Sequence, residues 1–289
     1  MYMKQTITKL LGTFINVTAV LFPKWSTNFS FNLFCKVRAV GYSEKGKEFM
    51  ATATTTFLEV GGHSAVLHRW GNGPKNILFL HGWMSHSQRW QTYIDTLDLN
   101  EYSVYALDAP GHGMAKGNHL NLEIYRKAVV QAIEKAGTID TLLSHSLGGL
   151  VVAYSYLFDP ALPVKRFVIM GSPSGMDSIF NYFKALLGLS GRAMAHLKEK
   201  ANSILKIPHD QIYMEHFFRT VTQPILIIHD KSDTITPFKP IQKAVQHKKH
   251  IEIVVTEGLK HDLKGEEVYA AVIACIQKEP VTLKRSQSA

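Results

Sequence analysis

Cysteine is scarce in this 289-residue chain, which has two. Cys35 and Cys275 lie far apart, and neither belongs to a C-x-x-C or Cys/His ligand pattern. A disulfide framework is therefore disfavoured and a reducing, intracellular setting is expected. There is no H-E-x-x-H and no clustered carboxylate set, which argues against a zinc site. No glycine-rich loop after a strand fits a dinucleotide or a P-loop; Gly111-His112-Gly113 lacks the third glycine and the helix that should follow. No cofactor and no metal are expected on these grounds. The net charge is +9, yet lysine and arginine are scattered outside the small clusters Lys248-Lys249 and Lys284-Arg285. Without a basic stripe interleaved with aromatics, the charge reads as a solvated surface and no nucleic-acid partner is expected.

An apolar run long enough to cross a bilayer is also missing. Leu10 to Phe22 is too short and too polar, and Phe22-Pro23-Lys24-Trp25 follows it where a secretory leader would carry small residues. Ile7, Leu10, Leu11, Phe14, Val17 and Leu21 instead form a helical stripe. An amphipathic helix docked on the body or touching a membrane is the favoured reading, with a signal peptide as the alternative. The expected location is cytoplasmic, with membrane association left open.

What the chain has in abundance is short apolar runs alternating with helix-length amphipathic stretches. Thr56 to Val60 and Ser64 to Trp70 read as two strands around Gly61-Gly62. The runs Ile77–Leu80, Tyr102–Leu107, Ile139–Leu143, Phe167–Met170, Ile225–Ile228 and Ile251–Val255 suit strands buried on both faces. Helices expected at Trp90–Leu97, Leu122–Ala136, Leu147–Phe158 and Glu266–Ile276 would supply the crossovers of a mostly parallel sheet. Ser172 to Thr222 contains no strand-like run and has a helical texture. The division that follows is a helical N-terminal extension (1–50), an α/β core (51–171 and 223–280), a helical insertion (172–222) and a flexible tail (281–289).

Three segments carry candidate chemistry. In Leu142-Leu143-Ser144-His145-Ser146-Leu147-Gly148-Gly149, an apolar strand runs straight into small residues around a serine and then into a helix. Such a turn lifts the serine hydroxyl above the sheet, so Ser146 is a candidate nucleophile. A capping serine at a helix start is the alternative. Ser144 stands where this turn usually has glycine and is read as a steric filler. In Ile77-Leu78-Phe79-Leu80-His81-Gly82-Trp83, the chain turns after a strand so that the N–H of Trp83, with that of Leu147, can hold an oxyanion. His81 is read as orienting that loop. Leu107-Asp108-Ala109-Pro110-Gly111-His112-Gly113 is a tight turn, and Asp108 and His112 are given structural roles.

Taken in this order, HGW, LDAPGHG and SHSLGG resemble the α/β-hydrolase superfamily over roughly Thr55 to Ile276. The resemblance implies an α/β-hydrolase fold with a helical cap, no cofactor and a nucleophile–acid–histidine order along the chain. It implies Asp233 as the acid, in His229-Asp230-Lys231-Ser232-Asp233, with Asp230 as runner-up, and His261 as the base in the loop after the last strand. With serine as nucleophile it implies acyl transfer from a small-molecule carboxylic ester, thioester or lactone. Carbon–carbon bond hydrolysis, acyl transfer to another acceptor, or a binding module with little turnover remain as alternatives. In the insertion, Phe180, Tyr182, Phe183, Leu186 and Leu187 either line an acyl pocket or pack the cap onto the core. Trp83 and Trp90 are further candidates to face the pocket.

Overall fold

The computed structural model describes residues 2–246 and 248–278, so the expected tail 281–289 and the last residues of the expected core lie outside the described residues. Eight strands form one sheet: β1 (Thr54–Val60), β2 (His63–Trp70), β3 (Lys75–Leu80), β4 (Tyr102–Asp108), β5 (Thr141–His145), β6 (Phe167–Met170), β7 (Ile225–Asp230) and β8 (Ile251–Thr256). Their order is β1-β2-β4-β3-β5-β6-β7-β8. β1, β2 and β4 pair antiparallel and the remaining neighbours pair parallel. The β1–β2 hairpin turns through Gly61 and Gly62, both at positive φ (+56° and +82°), a conformation that glycine adopts without steric strain.

The parallel strands are continuous apolar runs because both faces are covered. Leu78 and Leu80 of β3 point into one hydrophobic layer, and Ile77 and Phe79 into the other. The first layer is built on α5 (Leu122–Ala136) and α6 (Leu147–Phe158). The second is built on α3 (Glu44–Ala51), the short α4 (Gln91–Ile94) and α11 (Glu266–Gln277). Cys35 is buried in one layer and Cys275 in the other, both as free thiols. Burial pushes the Cys35 thiol up to about 12.

The remaining helices are α1 (Tyr2–Leu21), α2 (Pro23–Phe34), α7 (Met176–Leu187), α8 (Gly191–Asn202), α9 (Met214–Thr220) and α10 (Phe238–Val245). The expected insertion 172–222 divides. Phe217 of α9 sits edge-on to Tyr156 of α6 and Phe167 of β6, at 5.4 and 5.5 Å, so α9 belongs to the core layer. By contrast, α7 and α8 pack against the N-terminal hairpin α1–α2. The amide of Asn16 clamps the α7–α8 turn, donating to the Gly188 carbonyl (2.9 Å) and accepting from the Ser190 N–H (2.7 Å). A Cβ on Gly12 would fall 1.7 Å from the Leu187 carbonyl oxygen, so only glycine permits this approach. Phe34 stacks on Phe180 at 5.3 Å and meets Phe183 edge-on at 5.1 Å.

Some expected boundaries shift. β5 begins two residues later than the apolar run, because Ile139 makes an isolated bridge to Val164 and does not join the ladder. The helix expected at Trp90–Leu97 is a 3₁₀ turn at Ser87–Trp90 followed by α4 alone.

Candidate active site

The carboxyl ends of β3, β5, β7 and β8 share one rim, and the loops leaving them carry the candidate residues. β5 ends at His145 and α6 begins at Leu147, so Ser146 makes the whole strand-to-helix turn. It does so at φ +54° and ψ −122°, which is strained for a residue with a Cβ. The crowding around it is severe. A Cβ on Gly148 would lie 2.6 Å from the Leu80 carbonyl oxygen, and one on Gly82 would lie 2.7 Å from the Ser146 Cβ. Ser144 tolerates its place because it lies within β5, with its hydroxyl 3.3 Å from the Val168 carbonyl that accepts from it.

The three expected catalytic side chains meet. His261 Nε2 is 2.9 Å from Ser146 Oγ, and His261 Nδ1 is 2.8 Å from Asp233 Oδ2. An ionised carboxylate only accepts, so Nδ1 carries the proton and Nε2 offers its lone pair to the serine hydroxyl. Burial alone would raise the Asp233 pKa. Hydrogen bonds from His261 and from the Thr236 hydroxyl and N–H outweigh it and hold the pKa at about 2. Asp230, the runner-up, is committed elsewhere: it accepts from Ser232 N–H, Thr256 Oγ1 and Leu259 N–H at 2.8, 2.8 and 2.9 Å. Among the described residues, no backbone carbonyl accepts from the N–H of Trp83 or Leu147. Nor do three His, Cys, Asp or Glu side chains gather there to hold a metal ion.

A family model described as serine aminopeptidase, S33 matches residues 73–215, a stretch that holds Ser146 but neither Asp233 nor His261. Similar curated proteins include a pimeloyl-[acyl-carrier protein] methyl ester esterase of Edwardsiella ictaluri, 28% identical over 37% of this chain and 40% of that protein. A non-heme haloperoxidase of Rhodococcus erythropolis is 24% identical over 67% of this chain and 88% of that protein. The chain spans well under half the length of the first relatives it matches, from 35% to 42%. Among solved structures, a bromoperoxidase from Bacillus anthracis superposes with a TM-score of 0.60 at 15% identity, over 78% of this chain and 100% of that one. Fold, elbow and family match point the same way. The chain has the α/β-hydrolase fold.

Several residues around Ser146, Asp233 and His261 carry no plain signal in the sequence. Thr236 lies three residues beyond Asp233. Its hydroxyl is 2.7 Å from Asp233 Oδ2, 3.1 Å from His261 Nδ1 and 2.9 Å from the Gly171 carbonyl. With the N–H groups of Ile235 and Thr236 bonded to Asp233 Oδ1, this is an Asx-type turn, and Asp-Thr-Ile-Thr-Pro was its available signal. His229 donates to the Thr236 carbonyl at 2.6 Å from below.

His145 is the second residue missed. It is buried, its Nε2–H donates to the His261 carbonyl at 2.8 Å, and its ring centroid is 4.9 Å from that of His261. Burial and the neighbouring Arg89 hold its pKa well below the ordinary value, so it is a neutral ring. Arg89 donates to the next carbonyl, that of Asp262, at 3.2 Å. These two bonds restrain a loop in which Lys260 and Leu263, on either side of the His261-Asp262 pair, both have positive φ (+56° and +53°).

His81 and His112 brace the loop that follows β3. His81 Nδ1–H donates to the Gly82 carbonyl (2.7 Å) while its Nε2 accepts from the Ala109 N–H (3.1 Å). His112 Nδ1–H donates to the Pro110 carbonyl (3.0 Å) while its Nε2 accepts from the Met84 N–H (3.1 Å). Asp108 is wholly buried and accepts from Ser87 N–H, Met114 N–H, His68 and Tyr42. Trp90 does not face the site; it stacks under Phe79 at 5.0 Å and is fully buried. Of the insertion residues weighed as acyl-pocket lining, Phe180 and Phe183 pack on Phe34, Leu187 is buried where Gly12 approaches it, and Tyr182 and Leu186 are exposed.

Proposed function

We propose that the chain is a serine hydrolase of carboxylic esters, thioesters or lactones of small molecules, acting through an acyl-enzyme on Ser146. The observation that supports this most strongly is the pair of hydrogen bonds made by His261, 2.9 Å to the hydroxyl and 2.8 Å to the carboxylate. The esterase name carried by the Edwardsiella ictaluri relative favours the same substrate class.

As the substrate carbonyl approaches, His261 Nε2 takes the hydroxyl proton and Ser146 Oγ bonds to the carbonyl carbon. The carbonyl π pair moves onto oxygen, where the N–H groups of Trp83 and Leu147 receive the charge; such a donor is worth about 10²–10³ in rate. The tetrahedral intermediate collapses, the bond to the leaving oxygen or sulfur breaks, and His261 returns its proton to the departing group. Water then repeats the sequence against the acyl-serine, and the carboxylic acid leaves. Asp233 stays ionised throughout, holding the Nδ1–H tautomer and stabilising the imidazolium.

The test is labelling with a fluorophosphonate, followed by mass-spectrometric mapping. A single adduct on Ser146 is expected, abolished in Ser146→Ala and strongly slowed in His261→Ala. Adduct formation on another residue, or undiminished ester turnover by Ser146→Ala, contradicts the proposal.

A further inference from the structure

The helix α1 has two apolar faces. Gly12, Ile15, Thr18 and Ala19 are buried within the protein. Ile7, Leu10, Phe14, Val17 and Leu21 form the other face and are 48% to 64% exposed. With about 3.6 residues per turn, these five side chains fall within roughly 80° of arc. At the turn into α2, Phe22 and Trp25 are exposed as well. Trp25 stacks on Phe29 at 5.1 Å and meets Phe14 edge-on at 5.8 Å, so this face ends in a cluster of rings at the surface. An exposed apolar stripe of this length has no stabilising role in a free globule and marks an interaction surface.

Charge identifies the partner. Residues 1–43 contain Lys4, Lys9, Lys24, Lys36 and Arg38 and not one aspartate or glutamate, the first being Glu44. Lys9 and Lys24 are exposed on the same hairpin, with Lys9 Nζ also donating a long bond to the Ala185 carbonyl at 3.5 Å. A second copy of this chain would bring the same cations face to face with no acid to meet them. Anionic headgroups meet both the cations and, just beneath, the apolar stripe, while tryptophan at the rim suits the interfacial zone. Among the described residues no helix is long and apolar enough to cross a bilayer, and the other face of α1 is fastened to α7 and α8.

We propose that the outer face of α1, with the α1–α2 turn, is a docking surface for an anionic phospholipid bilayer, on which the protein lies without spanning it. This proposal is independent of the catalytic reading, because none of its residues belongs to the catalytic site.

The test is co-sedimentation of the whole protein with vesicles of phosphatidylcholine, alone or with one part in three of phosphatidylglycerol. Binding to the anionic vesicles is expected, weaker at high salt and weaker on the neutral vesicles. Leu10→Gln/Val17→Gln/Leu21→Gln should lower the partition coefficient about 100-fold with unchanged thermal unfolding. Lys9→Gln/Lys24→Gln, which leaves the apolar stripe intact, should lower it about tenfold on the anionic vesicles alone. Brominated lipid should quench fluorescence in the parent protein and not in Trp25→Phe. Three results overturn the proposal: protein left in the supernatant with both vesicle types, a glutamine triple variant that binds like the parent, or a dimer in sedimentation velocity that this variant converts to monomer.

Discussion

Acid should unfasten this protein through its buried histidines, and His81 allows the size of the effect to be worked out. Its ring is fully buried between the Gly82 carbonyl and the Ala109 N–H. Burial first, and then the neighbouring His112, lower its pKa from the ordinary value to about 3. A histidine whose pKa is depressed on folding binds its proton more readily in the unfolded chain. Its contribution is therefore intact above the unfolded value of about 6.5 and is lost as the pH falls towards 3. Linkage puts the loss at about 1 kcal/mol by pH 6 and about 2 kcal/mol by pH 5 from this residue alone. His112, His145 and His229 are shifted down by burial too, so their losses have the same sign. Urea unfolding at pH 8, 6 and 5 reads the effect directly, and His81→Gln should flatten the slope by close to one proton near pH 5 and hardly at all near pH 8. Equal stability at pH 8 and pH 5, or an unchanged slope in His81→Gln, would mean that His81 is not held neutral by burial.

Gly148→Ala should cost about 2 kcal/mol, because its methyl group meets the Leu80 carbonyl oxygen at 2.6 Å and the start of α6 must shift; an unaltered thermal midpoint would argue against the close packing described. Thr236→Val removes the hydroxyl shared by Asp233 and His261 and should lower kcat about tenfold while leaving KM nearly constant; steady-state kinetics with a chromogenic ester decides. His145→Ala frees the His261 carbonyl and should slow both acylation and fluorophosphonate labelling about tenfold. His145→Gln, which can still donate to that carbonyl, should recover part of the rate, and equal loss in both variants would reduce His145 to a packing residue.

Much of the sheet was legible because parallel strands covered on both faces must be continuous apolar runs, as in Ile225-Leu226-Ile227-Ile228. The elbow was legible for a related reason. Crowding that excludes a Cβ at Gly148 leaves a local signature, a serine between a strand and two glycines. Long-range consequences left no such mark. The stripe Ile7, Leu10, Phe14, Val17 and Leu21 is the stronger periodic signal in α1, yet the helix docks through Gly12, Ile15, Thr18 and Ala19, small residues that hydrophobic periodicity underweights. α9 looked like part of the insertion because helix texture alone does not say what a helix packs against; Phe217 places it on α6 and β6. The bonds from His145 and Arg89 to the His261 loop join positions more than a hundred residues apart. They exist only once the rim is assembled.

Ser146 should take up an acyl group with His261 as its base. Intact-mass analysis of the protein mixed with p-nitrophenyl butyrate, quenched in acid during turnover, tests this most directly. A butyryl increment mapping to the peptide that contains Ser146 is predicted, together with none in Ser146→Ala. Acylation at another residue, or turnover by Ser146→Ala at the parent rate, would contradict it.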